Sequence, residues 1–186
     1  MKIHIFGASG SGVTTTGRAL AKILHLDYLD SDGYFWEIAE VPFTAKRDPE
    51  LRNSLIKSDL ETLGNWILGG SVFEWGENVF PDFDLVVFLW IPPQIRMERL
   101  KKREFERYGD VIYTEPARIK QFEDFIVWAS NYDIQNGTAN RNFWAHENWM
   151  KSLPFPVLKI SGDFTLQERI DLIIEKIESI NKKPLH

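Results

Sequence analysis

Residues 7–17 read GASGSGVTTTG, with the β-branched and aromatic run KIHIF before them and Ala19, Leu20, Ile23 and Leu24 at helical spacing after them. A strand that turns through glycines into a helix brings successive main-chain N–H groups to one point, and the helix aims its positive end there as well. Gly7, Gly12 and Thr14 fill the first, sixth and eighth places of the phosphate-loop pattern G-x-x-x-x-G-K-[ST], while Val13 stands where that pattern has lysine. The expected cradle runs through Gly7, Ser9, Gly10, Ser11, Gly12, Val13, Thr14 and Thr15. Thr14 would offer its hydroxyl to Mg²⁺, and Thr15 would bond a phosphate nearer the nucleoside of ATP.

The missing lysine has a size. A cation about 4 Å from a phosphate charge gains on the order of 4 kcal/mol at an effective dielectric near 20, and a helix terminus supplies only about 0.3–2 kcal/mol. Either phosphoryl transfer is weak or another cation reaches the same oxygens. Arg96, Arg99, Arg103 and Arg107, spaced three, four and four apart, fall on one side of a helix opened by Pro93. A row of guanidinium groups beside a phosphate loop is suited to clamping transferring phosphoryl oxygens, although Glu98, Glu104 and Glu106 also fit an ordinary solvated face. Arg18, Arg47 and Arg141 are further candidates.

Alternation of short apolar runs with helical patterns continues along the chain. Tyr28–Asp30, Trp66–Gly69, Leu85–Trp90 and Val157–Ile160 read as strands, the second and third as strands covered on both faces. Asp48-Pro49-Glu50 supplies an N-cap, a proline at the first helical position and an early carboxylate, with Leu51, Leu55, Ile56, Leu60 and Leu63 as the expected buried face. Thr165 and Glu168 make a capping box before Leu166, Ile170, Ile173, Ile174 and Ile177. This order predicts an α/β fold with a doubly wound parallel sheet, its ligand crevice at the carboxyl ends of the strands. Residues 114–153 break the rhythm. Ile119, Phe122, Phe125, Ile126, Ala129, Phe143, Trp144 and Trp149 suggest a helical, lid-like insertion into a single domain spanning 1–186, or simply aromatics packing that insertion onto the domain.

A net charge of −5 argues against nucleic acid as partner. The absence of cysteine excludes thiolate chemistry and suits a reducing compartment. No apolar run approaches membrane-spanning length, so the sequence reads as that of a cytoplasmic protein without a membrane partner.

The runs GASGSGVTTTGRALAKIL, DYLDSD, ILGGS and LVVFLWIPPQIRMERLKKR, in that order over nearly the whole chain, resemble the P-loop kinases of the nucleoside-monophosphate-kinase fold, particularly the shikimate-kinase and adenylate-kinase groups. The resemblance implies three layers, a five-stranded parallel sheet and a mobile lid, with ATP and Mg²⁺ serving a nucleoside monophosphate or a small hydroxylated metabolite. Asp30 and Asp32 are similar to the Asp-x-Asp of shikimate kinases, where one carboxylate organises Mg²⁺ and the other meets the acceptor hydroxyl. Gly69, Gly70 and Ser71 resemble the glycine-rich acceptor loop, with serine for the third glycine. Arg99 and Arg103 resemble the Arg-x-x-x-Arg that begins the adenylate-kinase lid. The resulting expectation gives Asp32, Arg99 and Arg103 catalytic roles, assigns Asp30, Asp32, Arg47, Gly69, Gly70 and Ser71 to the acceptor, and places the metal at Thr14 and Asp30.

Read from the residues alone, Asp30 and Asp32 converge if the chain turns at Gly33, and either also suits an Asx-type turn cap. Tyr34, Phe35, Trp36, Phe73 and Trp75 would make flat walls for an acceptor ring or pack the core. Two other functions remain open: a module that holds nucleotide without transferring phosphate, and an NAD(P)-binding protein. Against the second, the third glycine of G-x-x-G-x-x-G would fall at Val13, and no tyrosine has lysine four residues later.

Overall fold

A computed structural model describes residues 1–76, 78–137 and 139–182. The chain begins with β1 (Lys2–Gly7), α1 (Val13–Leu24), β2 (Asp27–Asp30), the single-turn α2 (Ser31–Phe35) and α3 (Pro49–Leu63). It continues through β3 (Trp66–Gly69), β4 (Leu85–Trp90), α4 (Pro93–Tyr108), α5 (Val111–Thr114) and α6 (Pro116–Ser130). A 3₁₀ turn (Asn131–Asp133), α7 (Phe143–Ser152), β5 (Val157–Ser161) and α8 (Leu166–Asn181) complete it. All strand pairings are parallel and the sheet order is β2-β3-β1-β4-β5. The fold is a three-layer α/β sandwich of the nucleoside-monophosphate-kinase type. Because β3 lies between β1 and β2, the order differs from that of the dinucleotide-binding folds, in which the first two strands are neighbours.

Local chemistry sets the element ends. The Asp48 carboxylate accepts from the N–H groups of Glu50 and Leu51 ahead of Pro49, and Thr165 and Glu168 bond reciprocally across the first turn of α8. Side chains of β1 alternate between two cores. Ile3 and Ile5 join Leu20, Ile170, Ile173 and Ile177 under α1 and α8, whereas Phe6 joins Ile56, Leu60, Phe88 and Met150 under α3 and α7.

Two expectations are corrected here. Leu51, Leu55 and Leu63 are exposed, and the inward face of α3 is Arg52, Ile56 and Leu60, spaced by four. Residues 114–153 also divide into two parts. α6 packs with α4 and α5, whereas α7 is a structural layer of the sheet, with Phe143, His146, Trp149 and Met150 packed around Phe6 or Phe88.

Candidate active site

The carboxyl ends of β1, β2 and β3 open into a cleft of about 1390 Å³. The glycine-rich turn forms one wall. Gly12 caps α1 with φ 93°, a left-handed conformation that glycine adopts without strain. Ser11 N–H donates to the Ala8 carbonyl at 3.0 Å and closes the turn. Gly7, Ser9, Gly10, Gly12, Val13, Thr14 and Thr15 all line the cleft, but the Ser11 side chain is buried away from it.

Thr14, Asp30 and Asp32 all line the cleft. The Thr14 hydroxyl donates to Asp30 Oδ2 at 3.2 Å, the Tyr28 hydroxyl donates to the same oxygen at 3.3 Å, and Asp32 N–H donates to Oδ1 at 3.1 Å. Asp30 is thus both the N-cap of α2 and a carboxylate held beside a threonine hydroxyl. Among the described residues no group of three or more His, Asp or Glu side chains forms a ready-made metal cage. One hydroxyl and one carboxylate nevertheless fit Mg²⁺, which keeps most of its waters and draws its remaining oxygens from substrate phosphates. Asp32 opens onto the cleft. Desolvation first, then the Asp30 charge, holds its carboxyl above the ordinary value, against the opposing pull of Arg141, Arg103 and Arg107.

The arginine row resolves into two kinds of residue. Arg99, Arg103 and Arg107 line the cleft. Arg99 pairs with Asp163 at 2.5 Å and Arg103 with Glu104 at 2.8 Å. Arg96 turns inward instead: it is 1% exposed and donates to the carbonyls of Ser9 (3.2 Å) and Ala129 (2.9 Å) and to Asp133 Oδ2 (2.6 Å). Two of the expected acceptor residues also lie elsewhere. Arg47 donates to the carbonyls of Gly33 and Tyr34 and pairs with Glu37, so its guanidinium braces the loop after α2 and is not part of the cleft wall. Gly69 is likewise absent from the wall; a side chain there would overlap the Tyr28 ring. Gly70 and Ser71 do face the cleft.

Further residues reach the cleft from distant elements. Arg52 is 8% exposed, lies 4.0 Å over the Trp75 ring centroid and forms no ion pair among the described residues. Its line with Ile56 and Leu60, four residues apart, was the available signal. Arg141 lies 4.9 Å over Phe35 and is also without an ion-pair partner among them. Burial first, then mutual repulsion with Arg141, lowers the Arg52 pKa. His146, 1% exposed, links two hydroxyls: Ser71 Oγ lies 2.9 Å from Nε2 and Tyr132 Oη lies 2.8 Å from Nδ1. In the neutral ring one of these nitrogens donates to its hydroxyl partner and the other accepts. Burial drives the His146 pKa down to about 3 and keeps the ring neutral. Nothing near Ser71 in the sequence announces this relay.

A phosphate-loop turn at the switch point of a 2-3-1-4-5 parallel sheet, facing a pair of aspartates, defines a P-loop protein of the nucleoside-monophosphate-kinase fold. No known family profile matches the chain. It does belong to one family with YqaC of Bacillus subtilis (strain 168), an uncharacterised protein to which it is 45% identical over 177 residues, covering 95% of this chain and 97% of that one. More distant relatives are kinases. A shikimate kinase of Bacillus mycoides is 27% identical over 75% of this chain and 90% of its own, and a cytidylate kinase of Archaeoglobus fulgidus is 24% identical over 96% and 95%. The solved shikimate kinase of Aquifex aeolicus shares the fold with a TM-score of 0.57 at 18% identity, over 99% of this chain and all of that one. At family level these relatives support phosphotransfer.

Proposed function

We propose that the protein is an ATP-dependent kinase whose acceptor is a small, hydroxylated and anionic molecule. The observation that carries this reading is the polarity of one cleft. An anion-binding turn forms one part, two guanidinium groups without an ion pair among the described residues, Arg52 and Arg141, stand in another, and Asp32 interacts with the charges of both Asp30 and Arg141. An acceptor carboxylate or phosphate would pair with Arg52 and Arg141, its ring or base against Phe35, Phe73 and Trp75, and its hydroxyl directed at Asp32. Asp32, made more basic by its surroundings, would take the hydroxyl proton as the oxygen attacks the γ-phosphorus and the bond to the ADP oxygen breaks. Thr14 and Asp30 would hold a hydrated Mg²⁺, whose charge offsets that of the β- and γ-phosphates. Arg99 and Arg103 would divide their N–H donors between their carboxylate partners and the transferring oxygens.

Val13 favours a second reading, in which nucleotide is held without transfer. Incubation with Mg-ATP and a panel of anionic acceptors, shikimate and the nucleoside monophosphates among them, followed by ³¹P NMR, separates the two. A new phosphoester with stoichiometric ADP supports the kinase. Tight ATP binding with no turnover on any acceptor supports the holding module.

A further inference from the structure

Arg169, on α8, reaches the phosphate turn and lines the same cleft. It is 4% exposed, its Nη1 donates to the Ser11 carbonyl at 2.8 Å, and a Cβ on Gly12 would overlap that nitrogen. Its Nη2 is buried without a hydrogen-bond partner. Arg96 does the same from α4 to the Ser9 carbonyl. A trans peptide points its C=O and the following N–H in opposite directions, and no cis bond occurs among the described residues. The carbonyls of Ser9 and Ser11 point at the two guanidinium groups, so the N–H groups of Gly10 and Gly12 point away from them, and neither N–H has a protein acceptor among the described residues.

The two arginines differ in charge balance. Arg96 is neutralised by Asp133 at 2.6 Å. Arg169 has no carboxylate within ion-pair distance among the described residues, and the nearby Asp163 is already paired with Arg99. A buried cation without a counter-ion is costly unless something supplies the opposite charge. Arg169 lines the same cleft as the turn whose pattern calls for lysine.

Resting on the nucleotide-binding reading, we infer that Arg169 is a positioning residue that replaces the lysine absent at Val13: it orients the Gly12 N–H and charges the turn, and a bound polyphosphate is its counter-ion. The expected ligand class is a polyphosphate ester, with the nucleoside secondary for this contact.

The test uses the full chain, with calorimetry and thermal shift against Mg-ATP and, separately, inorganic tripolyphosphate. Arg169→Met is expected to keep or raise the ligand-free melting temperature, since an uncompensated buried charge is removed. It should weaken both ligands by roughly ten- to a hundredfold, the range for losing one charge-assisted interaction. Val13→Lys in the Arg169→Met background should restore binding, whereas a merely structural arginine would not be rescued by a lysine on a different helix. If Arg169→Met fails to fold, Arg169→Lys and Arg169→Gln replace it: both lose the forked geometry, and only the glutamine loses the charge, so lysine must bind the tighter of the two. Unchanged affinity in Arg169→Met, no rescue by Val13→Lys, or equal binding by the lysine and glutamine variants would overturn the inference while leaving the nucleotide reading intact. A wild-type protein that binds neither ATP nor tripolyphosphate would overturn both.

Discussion

Acid should destabilise this protein well before its carboxylates titrate, and the cause is two rings. His4 is fully buried between Phe6, Phe83 and Trp149, where burial lowers its pKa to about 4, and His146 is lowered to about 3. In the unfolded chain each imidazole titrates near its ordinary value of about 6.5. Below that pH the unfolded state takes up protons that the folded state refuses, so stability is complete above about pH 6.5 and is lost progressively as pH falls toward the folded values. Between pH 7 and pH 5 each ring costs about 2 kcal/mol, roughly 4 kcal/mol for the pair. Against a total stability of about 5–15 kcal/mol, that is a large share. At roughly 2–4 °C per kcal/mol for a domain of this size, the melting temperature should fall by roughly 8–16 °C. Denaturant unfolding at the two pH values measures the drop, and His4→Gln and His146→Gln should each remove about half of its pH dependence. His4 or His146 imidazole resonances, assigned through the two Gln variants, titrating above pH 6 in the folded protein, or a double variant with the wild-type pH dependence, would refute the reasoning.

Other consequences follow from the cleft. Arg52→Met and Arg141→Met should each raise the acceptor KM by roughly ten- to a hundredfold with little effect on ATP affinity, as steady-state kinetics with the acceptor identified by NMR would show. Asp32→Asn should lower kcat by about 10²–10⁴ while ATP binding by calorimetry stays unchanged; wild-type turnover would remove Asp32 from proton transfer. Gly12→Ala places a side chain in a left-handed conformation, costing about 1–2 kcal/mol, and displaces the buried Arg169. Thermal denaturation should show a loss of at least 3 °C, at roughly 2–4 °C per kcal/mol.

What could be read from the sequence was local. The cap at Asp48, the capping box at Thr165 and the glycines of the turn each act within a few residues, so pattern and cause share one window. The sheet followed from the alternation of apolar runs. Orientation was another matter. Periodicity places Arg96, Arg99, Arg103 and Arg107 on one side of α4, but it does not reveal that Asp133 and two loop carbonyls draw Arg96 into the interior. On α3, periodicity favoured leucines that stand at the surface over the arginine that turns inward. Arg169 meets Ser11 across 158 positions of chain, and His146 meets Ser71 across 75. Such partners become neighbours only when the sheet assembles. The aspartates and the glycine-rich turn were legible because strand ends bring them together; Arg52, Arg169 and the serine–histidine–tyrosine relay were not.

The Tyr28 ring lies against Gly17 of α1 and Gly69 of β3 so closely that a methyl group on either would collide with it. Its hydroxyl reaches Asp30. The phenol therefore acts as a gauge between a helix, a strand and the acid beside Thr14. Transplanting a foreign second strand into this scaffold would misplace that acid unless tyrosine and both glycines travelled together, so the three form one packing unit although they lie apart in the chain.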